Sequence, residues 1–237
     1  MSKGVIELKK SGEKVKMTGY DLFTVNSTFR TMMENYATFN NIFIESKTLE
    51  EQRFRFLLWK IDGLFDKQKM DIGEFDFESA KEILEKDKIV LRNTIREFEG
   101  LPFYRSLDQK QLYKIYKADK EKYNWRFTIG ESGIITPLKI SDLIKHSCKT
   151  RAFINTYRYT SIHTHTNYLA IEHFKQTRGV PISKEYTNPI SKLAIYLTCL
   201  IICDMCFLDE NARSEFEVLP DEVKEYIEGI NSVIKMS

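Results

Sequence analysis

All four histidines of this chain, His146, His163, His165 and His173, fall between Lys139 and Arg178, a span with seven basic residues and only two acidic ones. Clustered cationic and titratable side chains are what a phosphate-bearing partner needs. The equally open alternative is a solvated helix face on which the histidines serve as ordinary polar residues. His163 and His165 would share one face of a strand, and an H-x-H fragment can bind metal, with His146, His173 and Glu172 the nearest further ligands. The sequence holds no H-E-x-x-H, no Glu-x-x-His pair of the di-iron bundle type and no phosphate-cradling glycine loop, so neither a metal nor another cofactor is expected. Ser161 beside two histidines lacks the nucleophile elbow of a serine hydrolase. Cys199, Cys203 and Cys206 reproduce a C-x3-C-x2-C spacing, but they sit in an apolar run rather than a polar loop, which favours packing over an iron–sulfur cluster.

The elements that must position these residues are helical. From Tyr20 to Gly100 there is no proline, and apolar residues recur three and four apart, as in Phe29, Met32, Met33, Tyr36 and Phe39, then Phe54, Leu57, Leu58, Ile61, Leu64 and Phe65. Thr48 with Glu51 predicts a capping box opening the second helix, and Asp76 or Ser79 a third that Gly100 and Pro102 stop. That periodicity assigns Trp59 and its neighbouring phenylalanines to the core. A shorter helix is expected from Asp108 to Lys122, a hairpin or extended insertion over 124–137, a helix capped by Ser141, partial helix from Ala152 to Phe174, a buried helix from Pro189 or Ile190 to Leu208, and a last helix opened by Pro220. Residues 1–18, with five lysines and little apolar content, are expected to be a flexible basic arm. The expectation is therefore a mainly α protein, a single helical-bundle domain over 19–237 with a small β-hairpin or extended insertion.

Four residues intervene between Arg158 and His163, and six between Arg158 and His165, in the run Tyr157-Arg158-Tyr159-Thr160-Ser161-Ile162-His163-Thr164-His165-Thr166-Asn167-Tyr168. This resembles the R-x4-6-H signature of the HEPN superfamily, helical-bundle proteins many of which are metal-independent endoribonucleases of toxin and antiphage systems. The resemblance implies that His163 or His165 is the general acid/base for an RNA 2′-hydroxyl and that Arg158 stabilises charge on the phosphorane. Tyr157, Ser161, Asn167 and Tyr168 would orient the site, while Lys145, Lys149, Arg151, Lys175 and Arg178 would hold RNA phosphates. On a regular helix Arg158 and His165 share a face, whereas His163 lies about 140° from Arg158. The family's habit of building sites across a dimer implies a homodimer. A second likeness joins Arg53-Phe54-Arg55-Phe56-Leu57-Leu58-Trp59-Lys60-Ile61-Asp62-Gly63-Leu64 to Tyr157, Ser161 and His163, and looks like a family of bacterial helical proteins catalogued as a domain of unknown function.

Composition bounds these readings. With 237 residues, 36 basic against 34 acidic side chains, 42% apolar residues, 10 Gly and 5 Pro, the chain is neither disordered, collagen-like nor a polyionic tail. Four cysteines without a secretion signal predict a cytoplasmic setting with reduced thiols. The apolar run Leu193–Leu208, interrupted by Thr198 and Asp204, falls short of about 18 residues, and no lipidation motif is present, so no membrane partner is expected. The function expected is RNA cleavage of a toxin or antiphage type. Its alternative is a non-catalytic interaction or regulatory protein that turns the same basic surface toward a protein partner.

Overall fold

The computed structural model describes residues 4–10, 13–19, 22–69, 78–117, 122–164, 168–177 and 184–236. It is mainly α, with three two-stranded antiparallel ladders among the described residues. Two compact units divide the chain, one of residues 1–37 with 144–237 and one of 38–143.

In the unit of residues 38–143, a π-helical turn, Asn40–Ile44, precedes α2 (Leu49–Gln68), α3 (Glu78–Gly100), α4 (Pro102–Ser106) and α5 (Gln109–Ile115). The expected capping box opens α2: the Glu51 N–H donates to Thr48 Oγ1 at 3.1 Å, while the Glu51 carboxylate reaches back to the Lys47 N–H at 3.2 Å. Asp108 caps α5 by accepting from the Gln111 N–H at 2.7 Å. That helix stops at Ile115 rather than Lys122, because Tyr116–Lys117 (β3) turns extended and pairs with Lys122–Tyr123 (β4). The insertion expected over 124–137 is a hairpin, Phe127–Ile129 (β5) with Ile135–Pro137 (β6). Phe54, Leu57, Leu58 and Ile61 of α2 form the core, Phe54 stacking on Phe98 with ring centroids 4.7 Å apart and meeting Phe127 edge-on. Trp59 departs from its core assignment. It is 40% exposed, because at 100° per residue it lies about 140–160° from Phe54, Leu57 and Ile61 and so off the buried stripe of α2.

A charged pair is enclosed in this core. Arg55 and Glu51 are both buried, one turn apart on α2. Arg55 Nε donates to Glu51 Oε1 at 2.9 Å and Nη1 to the Phe127 carbonyl at 2.9 Å, which also accepts from Asn41 Nδ2 at 2.9 Å. Burial pulls the Arg55 guanidinium below its ordinary value against the pull of Glu51.

The other unit begins with residues that composition alone assigns to a mobile arm. Here the backbone forms an antiparallel hairpin, Gly4–Lys10 (β1) with Glu13–Gly19 (β2). Ile6 pairs with Met17 and Leu8 with Val15, an apolar face of period two that the intervening lysines obscure in sequence. Then come α1 (Leu22–Phe39), α6 (Ile140–Cys148), α7 (Arg151–Thr164), α8 (Tyr168–Thr177), α9 (Lys184–Leu208), α10 (Glu210–Glu217) and α11 (Asp221–Met236). Ser141 lies inside α6 instead of capping it. Pro189, expected at the start of the apolar helix, falls within α9.

The apolar helix α9 is not the fully buried element expected. Ile195, Met205, Phe207 and Leu208 are exposed, while Leu197, Cys199 and Leu200 are buried. Asp204, which interrupts the run, is buried and accepts a hydrogen bond from Tyr36 Oη at 3.0 Å, which accounts for a carboxylate there. The helix is also longer than its sequence pattern implies. Its segment Pro189–Leu208 is long and apolar enough, by length and composition, to cross a membrane, with mean hydropathy 1.8.

Candidate functional site

Of the residues singled out in sequence, Tyr157 and His163 lie where α1, α7 and α8 meet within one unit, with His173 beside them. Helices α1 and α7 run antiparallel, since Phe23 lies edge-on to His163 at 5.8 Å while Arg30 and, further along, Glu34 reach Tyr157. On α7, Phe153, Tyr157 and Thr160 are buried at helical spacing, and that stripe continues to His163, which is only 4% exposed. Arg158 lies off the stripe and is exposed, making no hydrogen bond or ion pair among the described residues. The structure therefore does not bring Arg158 and His163 together: one faces solvent and the other the packed interior. His165, Asn167 and Arg178 lie outside the described residues. Ser161 donates to the Tyr157 carbonyl at 2.7 Å, and Tyr168 is exposed. Lys145, Lys149, Arg151 and Lys175 are all exposed, Lys175 paired with Glu172 at 2.8 Å.

A different guanidinium meets α7. Arg30 Nε pairs with Glu34 Oε1 at 2.9 Å, one turn along α1, and Arg30 Nη1 donates to Thr164 Oγ1 at 2.5 Å. Tyr157 Oη donates to the same Glu34 oxygen at 2.9 Å, and the guanidinium carbon stands 5.2 Å from the Tyr157 ring centroid. Burial acts to lower the Arg30 value, but the Glu34 carboxylate and Tyr157 oxygen outweigh it and hold the guanidinium above its ordinary range. Burial, then Glu34, push the Tyr157 phenol up against the pull of Arg30. The group is thus a neutralised cross-helix clamp. Sequence reasoning missed it, although the Arg30–Glu34 spacing of four is a visible helical pair.

Beside the clamp, two imidazoles touch. His163 Nε2 and His173 Nδ1 are 3.1 Å apart with rings nearly parallel, and His163 Nδ1 is 3.1 Å from the Tyr159 carbonyl. A carbonyl can only accept, so neutral His163 carries its proton on Nδ1 and presents a lone pair at Nε2. That lone pair accepts the Nδ1–H of His173, which leaves the basic lone pair of His173 on Nε2. Burial pulls His163 below its ordinary value, the Tyr159 carbonyl opposes and His173 adds to the lowering, so the inner ring stays neutral. The outer ring, His173, is half-buried on α8.

One more side chain faces this junction from α1. Asn26 lies three residues after Phe23 and one turn before Arg30, the residues that touch α7. It is fully buried, yet among the described residues neither its amide oxygen nor its nitrogen has a hydrogen-bond partner. Among the described residues, no group of three His, Cys, Asp or Glu side chains could hold a metal ion.

No curated protein and no solved structure gives a significant match to the chain. The family model of DUF5677, a family of unknown function, matches residues 18–179, a stretch that holds both the α2 run beginning at Arg53 and the helices of the histidine pair, and the chain belongs to that family.

Proposed function

We propose that this protein is a metal-independent endoribonuclease whose acid–base group is His173, oriented by His163. The observation that supports it most is the His163–His173 hydrogen bond, whose direction is fixed by the Tyr159 carbonyl. His173 Nε2 takes the proton of an RNA 2′-hydroxyl as that oxygen bonds to phosphorus, the P–O5′ bond breaks, and the leaving oxygen is protonated by solvent. The resulting imidazolium is steadied by the His163 lone pair, as an orienting group steadies a catalytic histidine elsewhere. Arg158, Lys145, Arg151 and Lys175, exposed on α6, α7 and α8, and Lys149 in the turn after α6 are the cations offered to RNA phosphates. A bacterial toxin or antiphage role in the cytoplasm and a homodimer, which the sequence resemblance implies, belong to the same reading, although Arg158 and His163 face apart and their spacing lends it no geometric support. The test is cleavage of a single-stranded RNA in excess EDTA. Wild type is expected to release 2′,3′-cyclic phosphate ends, His173→Ala to lose at least a hundredfold in rate, and Arg158→Ala to bind RNA more weakly. Full activity in His173→Ala refutes the reading.

A second reading draws on α8 itself, where Tyr168, Leu169 and Ile171 are exposed beside His173. Such a face suits a protein partner, and a non-catalytic interaction module would leave the RNA intact.

A further inference from the structure

Beyond the residues matched by the family, α9, α10 and α11 pack around a small core of Cys199, Phe216 and Ile227 and border an open cleft of about 320 Å³. Two thiols outside any disulfide line it, Cys203 and Cys206, three residues apart on α9, together with Phe207, Arg213, Phe216 and Glu228. Cys199, the third cysteine of the run, is buried in the core and does not line the cleft. Side chains three apart on a helix hold their Cβ atoms about 5–6 Å apart, whereas a disulfide needs roughly 3.5–4.5 Å. On a regular helix that spacing disfavours a direct bond between the two sulfurs, a mismatch that a bridge longer by one atom relieves.

We propose that Cys203 and Cys206 form a dithiol site for a soft, thiophilic centre that two sulfurs satisfy, of which a trivalent organoarsenical and a cuprous ion are the two sources. Soft thiolate ligands favour such centres over harder ions, and no third His, Cys, Asp or Glu ligand is available among the described residues to build a closed zinc site. With an organoarsenical carrying two hydroxyls, two As–O bonds break and two As–S bonds form. The two thiol protons leave with the hydroxyls as water, and nothing is oxidised or reduced. With a cuprous ion the two thiol protons pass to solvent as two Cu–S bonds form, again without electron transfer. Phe207, 71% exposed, and Phe216 give an aryl substituent apolar surface to rest on. The Cys206 S–H, 3.6 Å from the Ala212 carbonyl, gives up only a weak contact. Burial, with Glu217 adding and Arg213 opposing, holds the Cys206 thiol above its ordinary value, which makes it slow toward monofunctional alkylating reagents.

The test uses the reduced full chain with phenylarsine oxide in one arm and a cuprous salt with a competing chelator in the other. A one-to-one adduct is expected that survives excess 2-mercaptoethanol and yields to a dithiol. Cys203→Ser and Cys206→Ser should each weaken it at least tenfold, while Cys148→Ala leaves it unchanged. Peptide mapping of the wild-type adduct, which needs no variant to fold, should find Cys203 and Cys206 protected together. Either probe held by both thiols supports the site, and the tighter one names its source. Adducts on other cysteines, binding as tight in the serine variants, or ready formation of a Cys203–Cys206 disulfide by diamide in the folded chain would each overturn it.

Discussion

Replacing Arg55 by Met tests the energetic account of the 38–143 unit. The guanidinium is 2% exposed and makes two contacts to Glu51 Oε1, at 2.9 and 2.8 Å, besides its bond to the Phe127 carbonyl. Removing it leaves the Glu51 carboxylate buried with the Lys47 N–H as its remaining donor, a situation that costs about 3–5 kcal/mol. Against a typical domain stability of about 5–15 kcal/mol this is about a fifth or more of the total. The Phe127 carbonyl is not orphaned, because Asn41 still donates to it, so the loss should come from the stranded charge rather than from that oxygen. Removing the charge as well, in Glu51→Leu with Arg55→Met, should therefore recover most of the loss, with about 1 kcal/mol remaining for the weakened cap. Both tryptophans, Trp59 and Trp125, lie in this unit, so urea unfolding followed by tryptophan fluorescence reads it selectively. A single substitution costing under about 1 kcal/mol, or a double variant as unstable as the sum of the two singles, would refute the reasoning.

Two further outcomes are expected from the other unit. Because burial lowers the His163 value, the folded chain binds fewer protons than the unfolded one below about pH 6.5. Its stabilising contribution is then complete above that pH and lost as the pH falls toward the lower folded value. Thermal unfolding of wild type between pH 7.5 and 5 should show a steeper loss than His163→Phe, and parallel curves would contradict this. Asn26→Leu removes an enclosed amide with no partner on either atom among the described residues, and should raise the unfolding free energy in urea by about 1 kcal/mol or more, as judged by far-UV circular dichroism. A clear destabilisation would show that the amide is satisfied in solution.

Much of the fold was legible because local rules set it. The stripe Phe54–Leu57–Leu58–Ile61, the Thr48–Glu51 box and the Gly100–Pro102 stop all act over three to seven residues, which sequence displays directly. The β1–β2 hairpin was obscured because alternating lysines on one face dilute the apolar face in any composition count. The apolar helix α9 misled for another reason: spacing shows which residues share a face, but not whether a neighbour covers it, whereas Trp59 lies off the buried stripe by spacing itself. The site was legible only in part. His163 and Tyr157 stood in the chosen segment, but their partners Arg30, Glu34 and Phe23 lie over a hundred residues earlier. His173 was visible as a fourth histidine, while its pairing depended on the packing of α8 against α7.

The π-helical turn at Asn40–Ile44 bears on how the chain tolerates insertions and deletions. It closes through the Glu45 N–H on the Asn40 carbonyl at 2.9 Å, one residue more than an α-turn holds. Dropping a single residue there would let the turn relax to ordinary α-helix and swing the downstream chain by about 100°. Asn41 would leave the Phe127 carbonyl, and the ceiling over the Arg55 guanidinium would lose a strut. Length is thus constrained at that corner more tightly than side-chain identity.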